Sequence, residues 1–406
     1  MSIDVNDINL ADHAFWRRPD KDDGFAALRR ERPVSWHEFP EGPEQGMKGF
    51  WSVTRYDDIV AVSQDAKTFR NSPSTYIGDQ SVEDARQEGW FLNMDAPEHF
   101  KLRQVVSKIF SPAGVQDLAR TASKHAEDLV AIARTKDSCD FAVEVAQPFP
   151  VAVICDILGA PAEDRKHLHG LTIKALAGDA PEIGGADIVP AAFAELNAYG
   201  AELSRRRRKA PKDDVVSLFI ATEIDGRKFN DDEVGYFFQL LVTAGMETTG
   251  TVGGHMMRLF LANPDQMRLW ADDPDGIAPT GVEELVRIVS PVQHMRRTTA
   301  TDVEIGGQKI AAGEKVVMWY NSGNKDETRF ENPTKFDVRR SPNPHIGFGG
   351  GGRHTCLGAH LARLELPMLA KAALANLKNI QPAGEPVYVP SRFVNGLASL
   401  PIRYKA

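Results

Sequence analysis

Between Asn230 and Pro264 the chain carries one uninterrupted helical pattern, DDEVGYFFQLLVTAGMETTGTVGGHMMRLFLA, residues 231–262. Asn230, with Glu233 three positions later, predicts a capping box at its start, and Asn263-Pro264 closes it. At about 1.5 Å per residue such a helix crosses most of a domain of this size, so the rest of the fold has to be built around it. Val234, Phe237, Phe238 and Leu241 keep helical spacing and then run into TAGMETTG. Polar residues in the middle of an apolar helix are costly unless they have partners. Gly245 weakens the helix there, and Thr248 and Thr249 compete for backbone carbonyls, which predicts a local distortion at a functional site.

The same periodicity marks helices over 113–135, 190–208 and 357–378, whereas strand patterns are short. GFWSVTRY near the start and DVEIGGQKIAAGEKVVMWY after residue 300 are the clearest strands, the second folded at its Gly-Gly turn. The expectation is a mainly α architecture with minor β sheets. No linker, low-complexity tract or internal repeat divides the 406 residues, so 1–406 reads as a single large unit. A net charge of −8 argues against general affinity for nucleic acid. The one basic run, Arg205 to Lys209, fits a helix C-terminus, where the macrodipole favours cations. The polar N-terminus has neither a signal-peptide core nor a membrane anchor, which points to a cytoplasmic protein.

Three cysteines are too few and too scattered for a disulfide framework. Cys155 lies in the apolar run VAVICDIL and reads as a buried small hydrophobe, and Cys139 has no metal-type neighbour. Cys356 is different, because it sits in GFGGGGRHTCLG, residues 347–358, directly before a helical pattern. Gly347, Gly349 and Gly352 spell G-x-G-x-x-G, but RRSPNPH precedes them where a dinucleotide fingerprint needs a strand. Three readings of Cys356 remain: a structural cysteine, a zinc ligand with His354 and His360, or a lone thiolate. Zinc lacks a second pair of ligands. A helix N-terminus lowers a cysteine pKa and keeps sulfur ionised. A lone thiolate among glycines that admit a porphyrin face suits axial ligation of haem iron, and the two haem propionates then require basic partners elsewhere.

At this point the chain resembles the cytochrome P450 family over nearly its whole length. Gly352, His354, Cys356 and Gly358 fall on the family's ligand-loop pattern, while Phe348 stands one residue further from Cys356 than the pattern places it. The loop therefore carries one extra residue, a variant associated with bacterial members acting on sterols and terpenoids. MDAPEHFKLRQ matches the family helix whose histidine and arginine, here His99 and Arg103, meet a haem propionate; Arg297 and His354 match two more propionate positions. EELVR supplies Glu284 and Arg287, and Arg340 in FDVRRSPNPHIGFG completes the family's buried triad. The implied fold holds haem b, iron protoporphyrin IX, between the long helix and the Cys356 loop, with Ala244, Gly245, Phe348, Gly349 and Gly358 against the cofactor.

AGMETT, residues 244–249, resembles the family's oxygen-activation motif. Oxygen activation needs protons delivered into a dry pocket, and Glu247 and Thr248 are the implied carboxylate and hydroxyl. Met246 occupies the variable position. The resemblance implies a substrate pocket lined by Leu92, a segment near 167–195, Leu240, Ala244, Met246, Val292, Met295, Phe393 and Val394, mostly apolar residues that suit a hydrophobic small molecule. It implies a monomeric hydroxylase or epoxidase of steroids, terpenoids or alkyl compounds, fed by a ferredoxin and ferredoxin reductase that dock near Arg353. A peroxide-driven peroxygenase and a haem-thiolate sensor are the alternatives. Pro367 is expected to kink the helix after the ligand.

Overall fold

A computed structural model describes residues 3–39, 49–78, 81–83, 85, 90–178, 183–185 and 188–405. The helices that frame the centre are α1 (Glu98–Ser107), α2 (Ala119–Ala133), α3 (Pro148–Leu158), α4 (Arg165–Ala177), α5 (Ile188–Lys209), α6 (Asp231–Ala262), α7 (Pro264–Asp272), α8 (Pro274–Val289) and α9 (Ala359–Asn376). The capping box of α6 is formed: Asn230 Oδ1 accepts the Glu233 N–H at 2.9 Å, and Glu233 Oε2 accepts the Asn230 N–H at 2.8 Å. From there α6 runs without a break to Ala262, packed against α3, α4, α5, α8 and α9. Apolar side chains on every side of it are buried, the pattern of a core helix.

The helix is not broken at Gly245–Thr249, where the sequence led us to expect a distortion. Thr248 Oγ1 donates to the Ala244 carbonyl at 2.8 Å, the competition for a helix carbonyl that its position suggested, and the helix carries it without interruption. Gly245 has a packing reason instead, because a Cβ there would lie 3.0 Å from Ile154 of α3. The pattern over 113–135 divides into Pro112–Gln116, capped by Ser111, and α2. The helix expected over 357–378 begins at Ala359 and continues through Pro367 to Asn376. The basic run ends α5 as expected: Arg208 pairs with Asp231 at 2.7 Å, and Arg207 forms a buried ion pair with Asp214.

The five-stranded sheet has the order β1 (Val34–Glu38), β2 (Gly49–Val53), β5 (Lys315–Trp319), β4 (His294–Thr299), β3 (Phe69–Arg70). Within it β4 and β5 are antiparallel, with Met295 opposite Met318 and Arg297 opposite Val316. A period of two then puts Met295 and Arg297 on one face. The turn that leads into β4 is tightly held: Ser290, at φ 45°, donates its hydroxyl to the Arg287 carbonyl at 2.9 Å and accepts the Asn324 side-chain amide at 2.8 Å. Cys155 is buried, as its apolar surroundings suggested, and so is Cys139. No helix among the described residues is long and apolar enough to cross a membrane.

Candidate functional site

The segment 347–358 turns back on itself so that the Cys356 N–H donates to the Phe348 carbonyl at 2.8 Å. Gly349, Gly351 and Gly352 have φ of 100°, 87° and 83°, a left-handed path open to glycine with little strain. The extra residue of this loop is accommodated against the helix Tyr56–Gln64. Ser63 Oγ donates to the Gly351 carbonyl at 3.0 Å and Gln64 Nε2 to the Gly350 carbonyl at 3.3 Å, while a Cβ on Gly350 would lie 2.8 Å from Ser63. Phe348 is thereby brought to the wall of a central apolar cavity despite its displaced position in the sequence. The Arg363 guanidinium lies 4.5 Å from the Phe348 ring centre and forms two hydrogen bonds, 2.7 and 2.8 Å, to Glu283 of α8.

Cys356 is accessible, and it faces this cavity. Two influences act on its thiol. The protein enclosing the cavity pushes its pKa up, and the Gly358 N–H with Arg103 and Arg363 opposes this only in part. A cation bound at the sulfur would favour its thiolate form.

Basic groups gather beside the loop. Arg103 of α1 donates to the Thr355 carbonyl at 2.6 Å, and the rings of His99 and His354 stack with centres 3.8 Å apart. Burial, aided by Arg103 and Arg353, pushes His99 down to about 4; burial and the neighbouring His99, Arg297 and Arg103 push His354 down to about 2. Both nitrogens of His99 and Nδ1 of His354 are buried with no hydrogen-bond partner. Arg297 is buried on β4, donating to the Arg296 carbonyl at 2.8 Å and bonded to the Tyr320 hydroxyl. Arg103 and His354 are on the cavity wall with Ala244, Gly245, Phe348, Gly349, Cys356 and Gly358. His99 and Arg297 stand behind it, each in contact with a residue that lines it. Unsatisfied buried donors beside two arginines fit an anionic group, and a lone accessible thiol among glycines fits an iron porphyrin, so the residues present suit haem. No cluster of three or more metal-ligating side chains occurs among the described residues, which leaves the zinc reading of Cys356 without its ligand set.

Across the cavity stands α6. Thr248 is on the wall with its hydroxyl proton tied to Ala244, so its lone pairs are what it offers to the cavity. Glu247 is buried and off the wall; burial pushes its carboxyl up to about 7, against a hydrogen bond from Thr251 that lowers it. Leu92, Leu240, Ala244, Val292, Met295 and Phe393 line the cavity, as expected. Met246 and Val394 do not. Met246 is buried on the opposite side, its sulfur 3.6 Å from the Thr172 hydroxyl of α4, and Val394 turns away to bridge Val292 through the backbone. Of the segment near 167–195, Leu176 reaches the wall, and positions 179–182 and 186–187 lie outside the described residues.

Several lining residues were not anticipated from the sequence, and one of them is a carboxylic acid. Glu365 of α9 is buried on the cavity wall, bonded to Thr249, and burial pushes it up to about 8. The signal was present, since Leu361, Glu365 and Leu369 follow at helical spacing and put a carboxyl on an apolar face. The triad behind the loop forms as expected. Glu284 meets Arg287 at 2.7 and 2.8 Å and Arg340 at 3.1 Å, with Glu284 and Arg287 fully buried.

A family model described as cytochrome P450 matches residues 279–405. A methyl-branched lipid omega-hydroxylase of Mycobacterium tuberculosis is 38% identical over 99% of this chain and 96% of its own. A steroid C26-monooxygenase of Rhodococcus jostii is 38% identical over 94% of this chain and 81% of its own. Among solved structures, a Mycobacterium marinum cytochrome P450 in complex with pseudoionone superposes with a TM-score of 0.92, at 38% identity, over 98% of each chain.

Proposed function

The chain belongs to the cytochrome P450 family, and from that premise we propose that it is a haem-thiolate monooxygenase that hydroxylates the terminal carbon of a branched alkyl chain on a lipid or steroid. The observation that carries this reading is the accessible Cys356 thiol on an apolar cavity faced by Thr248 of α6. Two relatives bear names that put oxygen at the end of a hydrocarbon chain, an omega position in one and C26 in the other. Terminal C–H bonds are not the weakest in such a chain, so choosing them requires walls that hold the rest of the molecule away. Leu92, Leu240, Val292, Met295 and Phe393 are apolar side chains suited to that.

Cys356 would ligate the iron of haem b, and Arg103, His354, His99 and Arg297 would hold its propionates. Bound there, haem supplies the reductive activation of dioxygen. The chain's own residues exclude water, orient the alkyl end and manage protons. Thr248 presents its hydroxyl lone pairs to the cavity, where they can orient a proton-bearing group. Glu247, poised near neutrality by burial, can give and retake a proton behind it. Electrons would come from a ferredoxin and its reductase.

The test is turnover of the haem-loaded protein with a ferredoxin, its reductase and NADPH, offered a methyl-branched fatty acid or a C27 steroid, alongside Cys356→Ala. A terminal alcohol as the main product is expected, with the long-wavelength carbon monoxide band of the reduced protein lost in the variant. Oxidation with peroxide alone favours the peroxygenase reading. A band that survives Cys356→Ala removes the ligand assignment and the function with it.

A further inference from the structure

Behind Glu247 runs a line of polar side chains that oxygen chemistry, as set out above, leaves unused. Positions 247, 251, 255 and 258 follow at helical spacing along α6 and carry Glu247, Thr251, His255 and Arg258. None of them lines the cavity, and Glu247, Thr251 and His255 are each at most 8% exposed. Such groups are costly inside a core helix, so their partners are informative. Glu247 is bonded to Thr251 one turn further along, while its Oε2 has no partner. Beyond Thr251, His255 Nε2–H donates to the Asn395 carbonyl at 2.8 Å and Nδ1 accepts the Arg258 Nε–H at 2.9 Å. Those two bonds fix the tautomer. Burial, with Arg258, Lys21 and Lys325 nearby, holds the ring neutral. The outer end of the line reaches the surface, where the His255 ring lies 6.0 Å from that of the exposed Tyr388.

We propose that Glu247 exchanges its proton with solvent along this line, through Thr251 and past His255, rather than through the substrate cavity. The inference rests on the relay role given to Glu247 above. From the cavity side the approach is poor: an apolar substrate excludes water there, and the Thr248 proton is tied to Ala244. When Glu247 gives up its proton, its carboxylate takes the Thr251 hydroxyl proton, and the Thr251 oxygen takes one from a hydronium ion of bulk solvent, passed through water entering at the Tyr388 end. One proton moves in from solvent and no electrons move. His255, with both nitrogens engaged, carries no proton. It is a positioning residue that controls entry, because water reaches Thr251 only when the ring releases the Asn395 carbonyl.

The test reads proton exchange directly, without turnover. Haem-loaded protein at about pH 6 is mixed into deuterated buffer, and the infrared C=O stretch of its buried carboxylic acids is followed in time. The band lost in Glu247→Gln belongs to Glu247, which separates it from Glu365. Thr251→Val is expected to slow deuteration of that band on the order of tenfold or more, Thr251→Ser to restore it, His255→Ala to speed it, and Thr248→Val to leave it unchanged. Slowing by Thr248→Val with no effect of Thr251→Val puts the route through the cavity and overturns the proposal, as does the absence of any band sensitive to Glu247→Gln. The relay role is tested separately, by product formed per NADPH in Glu247→Gln. If that coupling matches the wild type, the relay reading fails whichever way the proton enters.

Discussion

Glu365 shows how one carboxyl can be read in two directions. Among the described residues no cation acts on it; burial raises it from the ordinary 4.5 to about 8, and the Thr249 hydroxyl offsets this only partly. A group whose folded pKa is raised holds its proton in the native state while the unfolded chain has already lost it. Its contribution to stability is therefore unchanged below about 4.5, declines as the pH rises toward 8, and is flat above that. At about 1.4 kcal/mol per unit, the penalty at the upper end is several kcal/mol. Glu365→Gln keeps a hydrogen-bonding amide and removes the titration. The variant should melt at least about 2–4 °C above the wild type at pH 8 and show no gain near pH 4.5. An equal gain at both values would mean that the native carboxyl is already ionised. The residue was missed in the sequence because the helix around it reads as an apolar repeat, and a letter alone does not say which face of that repeat meets a cavity. Met246 was misassigned for the same reason: it is three positions from a lining residue, yet α4 covers it.

Helix α8 is the element on which the ligand loop depends. Arg287 does more than pair with Glu284; its guanidinium also donates to the carbonyls of Asn324 at 2.8 Å and Pro333 at 2.7 Å, gathering the irregular chain that leads to Cys356. Arg340 binds the same carboxylate and the carbonyls of Glu331, Asn332 and Lys335, but its side chain is 12% exposed where that of Arg287 is fully buried. Removing one member of a buried ion pair costs about 3–5 kcal/mol, because the other charge is left without its partner. Arg287→Ala should thus abolish soluble, haem-retaining protein, and Arg340→Ala should lower its yield and thermal half-life to a lesser degree. The reverse order, measured by haem absorbance per mole of purified protein, would contradict this account. The i, i+3 pair was legible in EELVR, and so was the loop it serves. The carbonyls that Arg287 collects were not, since backbone acceptors carry no residue signature and are brought together only by the tertiary fold. The uninterrupted path of α6 was hidden likewise, because whether Thr248 bends its helix depends on a hydrogen bond rather than on composition.

Across the whole molecule, a chain of net charge −8 keeps a cluster of basic groups at its centre. Arg103 and Arg297 carry charge there, and the stacked His99 and His354 bring buried ring nitrogens that lack partners. Without an anion this arrangement opposes folding, since an unsatisfied buried polar group costs about 1–3 kcal/mol. With the carboxylates of haem in place the same groups would serve as its binding site, and cofactor and fold would then be linked: a ligand that binds only the native state stabilises it in proportion to its affinity. His354→Phe separates the two effects. The phenyl ring preserves the stack on His99 and removes the unpartnered Nδ1, so the haem-free protein should melt higher than haem-free wild type. The haem-loaded variant should melt lower than its wild-type counterpart and pass haem to a competing apoprotein faster. The signature is this opposite sign in the two states, read from paired thermal melts with and without haem. If the variant is destabilised in both, His354 is a packing residue and the central basic cluster is not what ties the fold to its cofactor.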